Sequence, residues 1–555
     1  MTANLTERLQ KAMEAMPKGG TLPFDPLAIM QASAEFATSI KPSDLLEVQL
    51  QAAKQWTDFW TRAFTGVETE KPRDRRFSAP EWQDDPYYRN IRDAYLLASD
   101  QLRGLVAKGE AKGTGSAMVR FLLDQYLNAI APSNYAATNP EVVARTQETK
   151  GANLVQGFAN LLEDVASGQG IVRRRTDPKA FVKGESIAAT PGQVVYQNEL
   201  FQLLQYDPAT QDVAAEPLLY VPPLVNRFYM IDLQPKSSLV KWLADQGRTV
   251  FVISWVNPTD AQRGKGVEAY VLEGIAEAIG VVAKRTSAKP DLFAFCLGGT
   301  RVAITLAYLA AKGRADEVNS ATLIGSMVDF ADMRDWSAFV HEGHLTALED
   351  HLEAQGFIDS VELQRLFAAM RANDLIWSSV VNHYLLDKPA PASDLLYWFE
   401  DGARIPAAFL KSYNRDILFE NKLKTPAGFV IDGTPIDLAA IKTPMMVIAL
   451  KDDHVSAWSA VYDGAKLLGA EYILGGSGHN AGVINPPAAN KHGYWTNQAR
   501  PATAGEWLES ATKNEGSWWP HWDAWLTAHG SNERVSARQI KDGLEPAPGS
   551  YAKAP

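Results

Sequence analysis

The chain has 555 residues, of which 54 are basic and 65 acidic, so its formal net charge is −11. This length predicts two domains, or one large domain with an extension, and the acidic balance argues against a broad nucleic-acid-binding surface. A single cysteine excludes an intrachain disulfide framework and a cysteine-based zinc site.

Residues 1–175 are predicted to form a mostly helical N-terminal domain. Apolar residues at helical spacing indicate a short amphipathic helix over residues 5–16, and an aromatic-rich helix follows around residues 51–60. Residues 74–82 have the pattern of an extended, proline-broken connector. Helical periodicity then returns in three stretches, 87–106, 117–127 and 140–165.

The start of the chain lacks the uninterrupted apolar core of a secretory signal, and no apolar run reaches the length needed to span a membrane. We therefore expect a cytoplasmic protein without a transmembrane segment. The N-terminal helices carry no recognisable chemistry, so their role is expected to be oligomerisation or association with a surface.

The sequence pattern changes near Gly168, and residues 176–555 are predicted to form a catalytic domain. Alternating polar and apolar residues between positions 185 and 206 predict a β-hairpin. Strands of buried type then alternate with amphipathic helices; the strands are predicted at 217–221, 249–255, 292–295 and 321–325, and the helices at 237–246 and 267–285. Such alternation predicts an α/β fold with a parallel sheet covered on both faces.

The regular alternation stops at Asp329, and residues 330–436 are predicted to be a helical, aromatic insertion. An insertion of this length is either a cap over the active-site edge or a second scaffold. The sheet resumes with strands at 443–450 and 471–474. The tryptophan cluster at 518–525 predicts a C-terminal helix packed on the sheet, and the polar, proline-rich tail at 531–555 is expected to be loosely ordered.

Residues 291–300 have the pattern of a strand, a sharp turn and a helix, with Cys296 at the tip. A nucleophile elbow requires small residues two positions before and after its tip, and Ala294 and Gly298 fill these positions. The helix N-terminus favours a thiolate, and the backbone N–H of Leu297 would point at an oxyanion formed beside the sulfur. The alternative is that Cys296 is a small buried hydrophobic residue.

A cysteine nucleophile requires a base and an orienting carboxylate, which in an α/β-hydrolase fold follow it in the order acid, then histidine. His479 lies in a glycine-rich loop after the last predicted strand, where a ligand has room to approach. Asp452 and Asp453 both follow the preceding strand, and either could orient the histidine because adjacent loop residues point in different directions. His454 is predicted to pack against the site or to touch substrate.

The sequence resembles the polyhydroxyalkanoate synthases, most closely the class I type that works without a partner subunit. The resemblance runs from about Arg76 to the C-terminus and rests on specific motifs: Val221-Pro222-Pro223-Leu224-Val225-Asn226, Asp232-Leu233-Gln234-Pro235, Phe295-Cys296-Leu297-Gly298-Gly299-Thr300, Asp453-His454, Ser477-Gly478-His479 and Gly516-Ser517-Trp518-Trp519-Pro520. It implies that Cys296 is the acylated nucleophile, His479 the general base, Asp453 the acid and His454 an accessory residue.

By this resemblance, the fold is an α/β-hydrolase fold with a helical cap insertion, and the substrates are (R)-3-hydroxyacyl-coenzyme A thioesters, expected to be short, such as 3-hydroxybutyryl-coenzyme A. The N–H groups of Leu297 and of a residue near Val225 would bind the oxyanion. Two positions depart from the family pattern. Ala294 stands where the family usually has glycine, and Phe399 follows Trp398 where asparagine is common.

The resemblance also implies the surroundings of the reaction. Coenzyme A is the leaving group, and no cofactor or metal is expected. The expected partners are the growing polyester chain, a second copy of the protein in a homodimer and phasin-type granule proteins, with the enzyme in the cytoplasm at the surface of polyester granules. A cysteine-dependent thioesterase or esterase of the same fold is the alternative activity.

Overall fold

The computed structural model of the protein describes residues 26–67, 70–109, 114–166 and 175–554. The helix predicted over residues 5–16 lies outside them. The chain divides into two units: the first comprises Met1–Pro178, Ser337–His344 and Gln364–Ser393, and the second comprises Lys179–Trp336, Leu345–Leu363 and Asp394–Pro555.

The N-terminal part of the chain is helical, as the sequence predicts. Its described α-helices are α1 (Pro26–Ser39), α2 (Pro42–Thr65), α3 (Glu81–Asp84), α4 (Pro86–Gly109), α5 (Thr114–Ala129), α6 (Pro140–Glu148) and α7 (Ala152–Ala166). Helix α2 has proline at its first position and ends at Gly66, whose φ of 70° is the left-handed conformation that stops a helix.

The segment at residues 74–82 is not the extended connector that the sequence predicts. It contains a 3₁₀ turn, Arg75–Phe77, and the start of α3. The carboxylate of Asp74 accepts a hydrogen bond from the N–H of Arg76 and so begins the turn. Phe77 and Trp82 are buried, with ring centroids 4.8 Å apart. Burial of these two aromatic side chains draws the segment into compact turns, which the proline pattern alone does not reveal.

The second unit is built on a mixed sheet. The described strands of the chain are β1 (Gly192–Gln197), β2 (Phe201–Tyr206), β3 (Asp212–Ala214), β4 (Leu218–Val221), β5 (Val250–Trp255), β6 (Asp291–Phe295), β7 (Ser320–Ile324), β8 (Phe357–Ile358), β9 (Ile405–Pro406), β10 (Phe429–Ile431), β11 (Thr434–Ile436), β12 (Met445–Leu450), β13 (Glu471–Gly475), β14 (Tyr494–Thr496), β15 (Thr512–Asn514), β16 (Arg534–Ser536) and β17 (Glu545–Pro546).

The strand order in the main sheet is β15-β14-β13-β12-β7-β6-β4-β5-β2-β1-β17. The central strands, from β13 to β5, are parallel, whereas β1 and β2 form the antiparallel hairpin predicted from the alternating pattern. Every residue of β4, β5, β6, β7 and β12 is buried, as expected for parallel strands covered on both faces. The carboxyl ends of β4, β6, β7, β12 and β13 therefore lie along the same edge of the sheet.

The described α-helices after residue 179 follow or separate these strands along the chain. They are α8 (Leu239–Asp245), α9 (Val267–Ala269), α10 (Glu277–Thr286), α11 (Leu297–Ala311), α12 (Glu342–Gln355), α13 (Ser360–Met370), α14 (Asp394–Glu400), α15 (Ala407–Ser412), α16 (Trp458–Leu467), α17 (Ala504–Glu509), α18 (Trp519–His529) and α19 (Gly549–Lys553). The stretch Tyr270–Ala276 joins α9 to α10 as π-helical turns. The α/β-hydrolase architecture predicted from the sequence is confirmed.

The tryptophan cluster forms helix α18 and packs on the sheet, as predicted. Trp518, Trp519 and Trp522 are each 0% exposed, yet each indole N–H donates a hydrogen bond, that of Trp522 to the Thr322 hydroxyl (2.8 Å). Trp518 donates to the carbonyl of Gly482 (2.9 Å) and Trp519 to that of Val483 (3.0 Å). The helix therefore holds the segment that follows His479 against the body of the sheet.

The prediction of a loosely ordered tail is wrong for the described residues. Strand β16 pairs with β3, and β17 pairs with β1 at one edge of the main sheet. Ala552 of α19 is only 1% exposed. The side chain of Gln202 donates to the Ser550 hydroxyl (2.9 Å), and its carbonyl accepts from the N–H of Tyr551 (3.1 Å). Polar residues of the tail are thus ordered by pairing with a distant strand edge.

Candidate active site

Cys296 is the link between strand β6 and helix α11. Its φ and ψ are 53° and −128°, a conformation that an L-residue adopts only where neighbouring contacts enforce it. Its N–H donates to the carbonyl of Ile324 on β7 (2.9 Å), and its carbonyl accepts from the N–H of Gly299 (2.9 Å). The half-buried sulfur thus lies at the helix N-terminus, in the sharp turn of a nucleophile elbow.

The two glycines after Cys296 are required by close packing. A Cβ atom at Gly298 would lie 2.3 Å from the carbonyl oxygen of Val221, and one at Gly299 would lie 2.1 Å from the hydroxyl of Ser326. Gly298 therefore lets the start of α11 touch the end of β4, and Gly299 lets it touch the end of β7. Ala294, the departure from the family pattern, is fully buried within β6.

Asp453 and His479 meet at the carboxyl ends of β12 and β13. Asp453 Oδ2 lies 2.6 Å from His479 Nδ1, and the carboxylate side chain is 0% exposed. Its other oxygen accepts from the N–H groups of Val455 (2.7 Å) and Ser456 (2.8 Å), which fix its orientation. Asp452, the alternative acid, is exposed, so the structure places Asp453 beside the histidine.

His479 also interacts electrostatically with the Cys296 side chain. Burial alone disfavours the imidazolium, but the Asp453 carboxylate and the Cys296 sulfur outweigh this effect and raise the pKa of His479 to about 10. The ring is held by Phe295, whose centroid is 4.6 Å away. A Cβ at Gly325 would lie 3.4 Å from His479 Cε1, so the backbone at the end of β7 packs closely against the imidazole ring. The arrangement allows a proton to pass between sulfur and imidazole.

The remaining predicted site residues lie around this group. The ring of His454 is 6.4 Å from that of His479, in an edge-to-face arrangement. Leu297 is the first residue of α11. Val225 lies in the loop after β4, the strand next to β6, and its carbonyl accepts from the N–H of Ala403 (3.1 Å). Both backbone positions expected to bind an oxyanion therefore belong to segments at the edge where Cys296 lies.

Two side chains, those of Tyr413 and Arg301, lie near Cys296 although no sequence motif indicates it. Tyr413 stacks on Phe409 (5.7 Å between centroids), and burial raises the pKa of its hydroxyl. Because Tyr413 lies more than 100 residues after the elbow, inside the predicted cap, no local pattern connects the two. Arg301 lies one turn into α11 and is completely buried.

Within the described residues, no group of histidine, cysteine and carboxylate side chains is arranged to hold a metal ion. None of the helices that these residues form is long and apolar enough to cross a membrane.

Comparison with known proteins identifies two matching families. Residues 73–243 match the family described as poly-beta-hydroxybutyrate polymerase (PhaC) N-terminus, and residues 217–486 match the alpha/beta hydrolase fold. The chain is 38% identical to the poly(3-hydroxyalkanoate) polymerase subunit PhaC of Rhizobium meliloti (strain 1021), over 92% of this chain and 86% of the relative. It is also 38% identical to the poly(3-hydroxyalkanoate) polymerase of Methylorubrum extorquens (92% and 87%) and to the PhaC subunit of Cupriavidus necator (93% and 89%).

Proposed function

The chain belongs to the family of poly(3-hydroxyalkanoate) polymerases, and on this premise we propose that it builds polyester through an acyl group carried on Cys296. It is an acyltransferase that polymerises 3-hydroxyacyl-coenzyme A with release of coenzyme A. The assignment of Cys296 is supported by its position at the same edge of the sheet as His479 and Asp453. His479 Nδ1 lies 2.6 Å from Asp453 Oδ2.

The first step is acylation of the sulfur. His479 Nε2 takes the Cys296 proton, and the sulfur attacks the thioester carbonyl of the substrate. Asp453 holds the proton on Nδ1, so that Nε2 faces the sulfur as a base. The raised pKa of His479 favours the state in which the imidazole holds the proton. That proton passes to the departing coenzyme A sulfur, leaving an acyl thioester on Cys296.

The negative charge that develops on the thioester oxygen requires N–H donors. We assign this role to the backbone N–H groups of Leu297, at the start of α11, and Val225, in the loop after β4. Their segments are in direct contact, because the backbone of Gly298 lies against that of Val221 and Pro222. Donors fixed by the backbone require no reorganisation during the reaction.

Elongation transfers the acyl group from sulfur to oxygen. The 3-hydroxyl of another hydroxyacyl group attacks the thioester on Cys296, and His479 accepts the hydroxyl proton. A new ester bond forms, the C–S bond breaks, and the proton returns to the sulfur. Water competes with this hydroxyl, so the buried setting of His479 (6% exposed) and Asp453 favours polymer over hydrolysis.

Replacement of Cys296 tests the assignment. Cys296→Ala is expected to abolish both coenzyme A release and covalent labelling by 3-hydroxybutyryl-coenzyme A, because no other cysteine is available. Cys296→Ser is the matched control, since it keeps the elbow but exchanges a thiol for a less acidic hydroxyl. It should fold like the unaltered protein and lose at least about 100-fold in rate. Continued turnover in Cys296→Ala would refute the role of the sulfur.

The product distinguishes the polymerase from a thioesterase of the same fold. A polymerase releases coenzyme A while insoluble polyester accumulates, whereas a thioesterase releases one free hydroxy acid for each coenzyme A. Family membership favours the polymer. Quantifying coenzyme A, free acid and polyester in one reaction decides between them.

We further propose short-chain (R)-3-hydroxyacyl-coenzyme A as the substrate, no cofactor, and action as a homodimer in the cytoplasm at the polyester granule surface, where phasin-type proteins are partners. Exposed apolar side chains on α2 support a surface-associated role, since Leu50 is 65% and Phe64 84% exposed. Sedimentation tests the dimer, and localisation of tagged protein in polyester-producing cells tests granule binding. Rates with C4 and C8 substrates test chain length.

A further inference from the structure

The guanidinium of Arg301 is a buried cation placed directly behind the nucleophile elbow. Its side chain is 0% exposed and lies one helical turn after Leu297. Within the described part of the chain, no carboxylate lies within ion-pairing distance of it. Aromatic faces and carbonyl oxygens surround it, and it also interacts electrostatically with the Cys296 sulfur. Because burying an unpaired charge is costly, its presence beside the reacting sulfur calls for an explanation.

Aromatic side chains form a box around this charge. The guanidinium carbon lies 4.8 Å from the ring of Trp255, 5.6 Å from that of Tyr270 and 5.9 Å from that of Phe409. Cation–π attraction to these rings offsets part of the desolvation cost and fixes the direction of the guanidinium fork. Burial lowers the pKa of Arg301 to about 10, so it remains charged at neutral pH.

The fork points at the loop that follows β4. Arg301 Nη2 donates to the carbonyl oxygen of Pro222 at 2.7 Å, and Trp255 Nε1 donates to the same oxygen at 3.0 Å. Arg301 Nε also lies 3.4 Å from the carbonyl of Leu297. A single side chain therefore joins the two backbone segments that supply the oxyanion donors, the start of α11 and the loop from Pro222 to Val225.

We propose that Arg301 is a positioning residue that fixes the spacing of the two halves of the oxyanion site by binding the Pro222 carbonyl. This proposal rests on the proposed function, because it presumes that Leu297 and Val225 bind the thioester oxygen. Gly298 sets the closest approach of the two segments through its contact with Val221, and Arg301 keeps them from separating. Donor positions must hold to within about 0.5 Å for full transition-state stabilisation.

Two reactions of the same sulfur separate positioning from other roles. Acylation by 3-hydroxybutyryl-coenzyme A passes through an oxyanion, whereas alkylation of Cys296 by iodoacetamide is a displacement at carbon that forms none. Both require the same thiolate and the same folded elbow. Because Cys296 is the only cysteine, intact-protein mass spectrometry after rapid quenching follows each reaction at this one atom.

Arg301→Met removes the charge and both donors while keeping an unbranched side chain. We expect acylation to slow about 10- to 100-fold, and alkylation, which responds only to the loss of the charge near the sulfur, to slow by a clearly smaller factor. Trp255→Phe removes the second donor to Pro222 and should slow acylation in the same selective way. Arg248→Met is the matched control: this buried arginine pairs with Asp523 before the start of β5, away from the elbow, and its loss should leave acylation unchanged.

Acylation of Arg301→Met at the unaltered rate would overturn the positioning role, and so would equal slowing of acylation and alkylation, which would place the effect on the sulfur or on the fold. If the unaltered protein is alkylated at Cys296 but never acylated by the thioester, the proposed function itself fails. The two failures are therefore distinguishable in one set of measurements.

Discussion

Replacing Asp453 with asparagine alters the candidate triad while preserving the loop that carries it. Asp453 accepts three hydrogen bonds, two of them from backbone N–H groups at 2.7 and 2.8 Å. The asparagine carbonyl can keep both, so the loop after β12 should hold its shape. The third bond, at 2.6 Å to His479 Nδ1, must reverse, because the amide NH₂ is a donor. His479 Nδ1 then becomes an acceptor, and the ring proton moves to Nε2.

A proton on Nε2 prevents His479 from accepting the Cys296 proton. We therefore expect Asp453→Asn to lower kcat by about 10⁴-fold, which corresponds to about 5.5 kcal/mol of transition-state stabilisation. Without the carboxylate, burial is the largest remaining influence on the histidine, so its pKa should fall from about 10. The unfolding temperature should change little because the two backbone hydrogen bonds remain.

The measurement is the initial rate of coenzyme A release between pH 6 and 9, with a thermal melt of the same samples. Asp452→Asn is the matched control, since it makes the same chemical change at the neighbouring exposed position and should leave the rate within about twofold. A loss of less than tenfold in Asp453→Asn, or an equal loss in Asp452→Asn, would refute the tautomer argument.

Two further predictions concern packing and pH. Gly298→Ala would place a methyl group 2.3 Å from the backbone oxygen of Val221, so we expect a loss of about 1–3 kcal/mol in unfolding free energy together with slower acylation. Gly280→Ala, in an exposed helical position with open space around it, should stabilise the protein by about 0.5–1 kcal/mol in the same denaturant titration. A loss in both variants would show that glycine replacement itself, and not the close approach, is harmful. The folded-state pKa of His479 is raised, so its contribution to stability is complete below its unfolded pKa of about 6.5 and is lost as the pH rises through about 10. The unfolding free energy of the unaltered protein should therefore fall more steeply between pH 7 and 10 than that of His479→Gln, and parallel pH profiles would contradict the assignment.

The parallel sheet and the elbow could be predicted from the sequence because each rests on local pattern. Fully buried strands appear as continuous apolar runs, and β5, β6 and β12 lie within one or two residues of their predicted positions. The elbow is recognisable because its tight turn excludes large side chains at fixed distances from Cys296. Such steric requirements involve residues only a few positions apart, so they produce a local sequence pattern that can be recognised.

The choice between Asp452 and Asp453 could not be made from local pattern, because it depends on which side chain turns inward. The backbone N–H groups of Val455 and Ser456 decide it by capturing one carboxylate oxygen. The order of the tail after residue 531 could not be predicted for a related reason. The tail is ordered by pairing with strands that lie hundreds of residues earlier in the chain. The amino-acid composition of the tail does not indicate such distant partners.

The strained backbone at Cys296 explains why the elbow can be recognised in the sequence and why it is rigid in the structure. A left-handed φ of 53° at a non-glycine residue costs roughly 1–3 kcal/mol, and it persists only if the surroundings enforce it. Here β7 holds the Cys296 N–H, and the Thr300 hydroxyl donates to the carbonyl of Met327 at 2.7 Å. The contact of Gly298 with β4 holds the elbow from the other side. Two neighbouring strands, β4 and β7, thus hold the residue at the end of β6, and the small side chains that permit this close packing are the same ones that identify the nucleophile in the sequence.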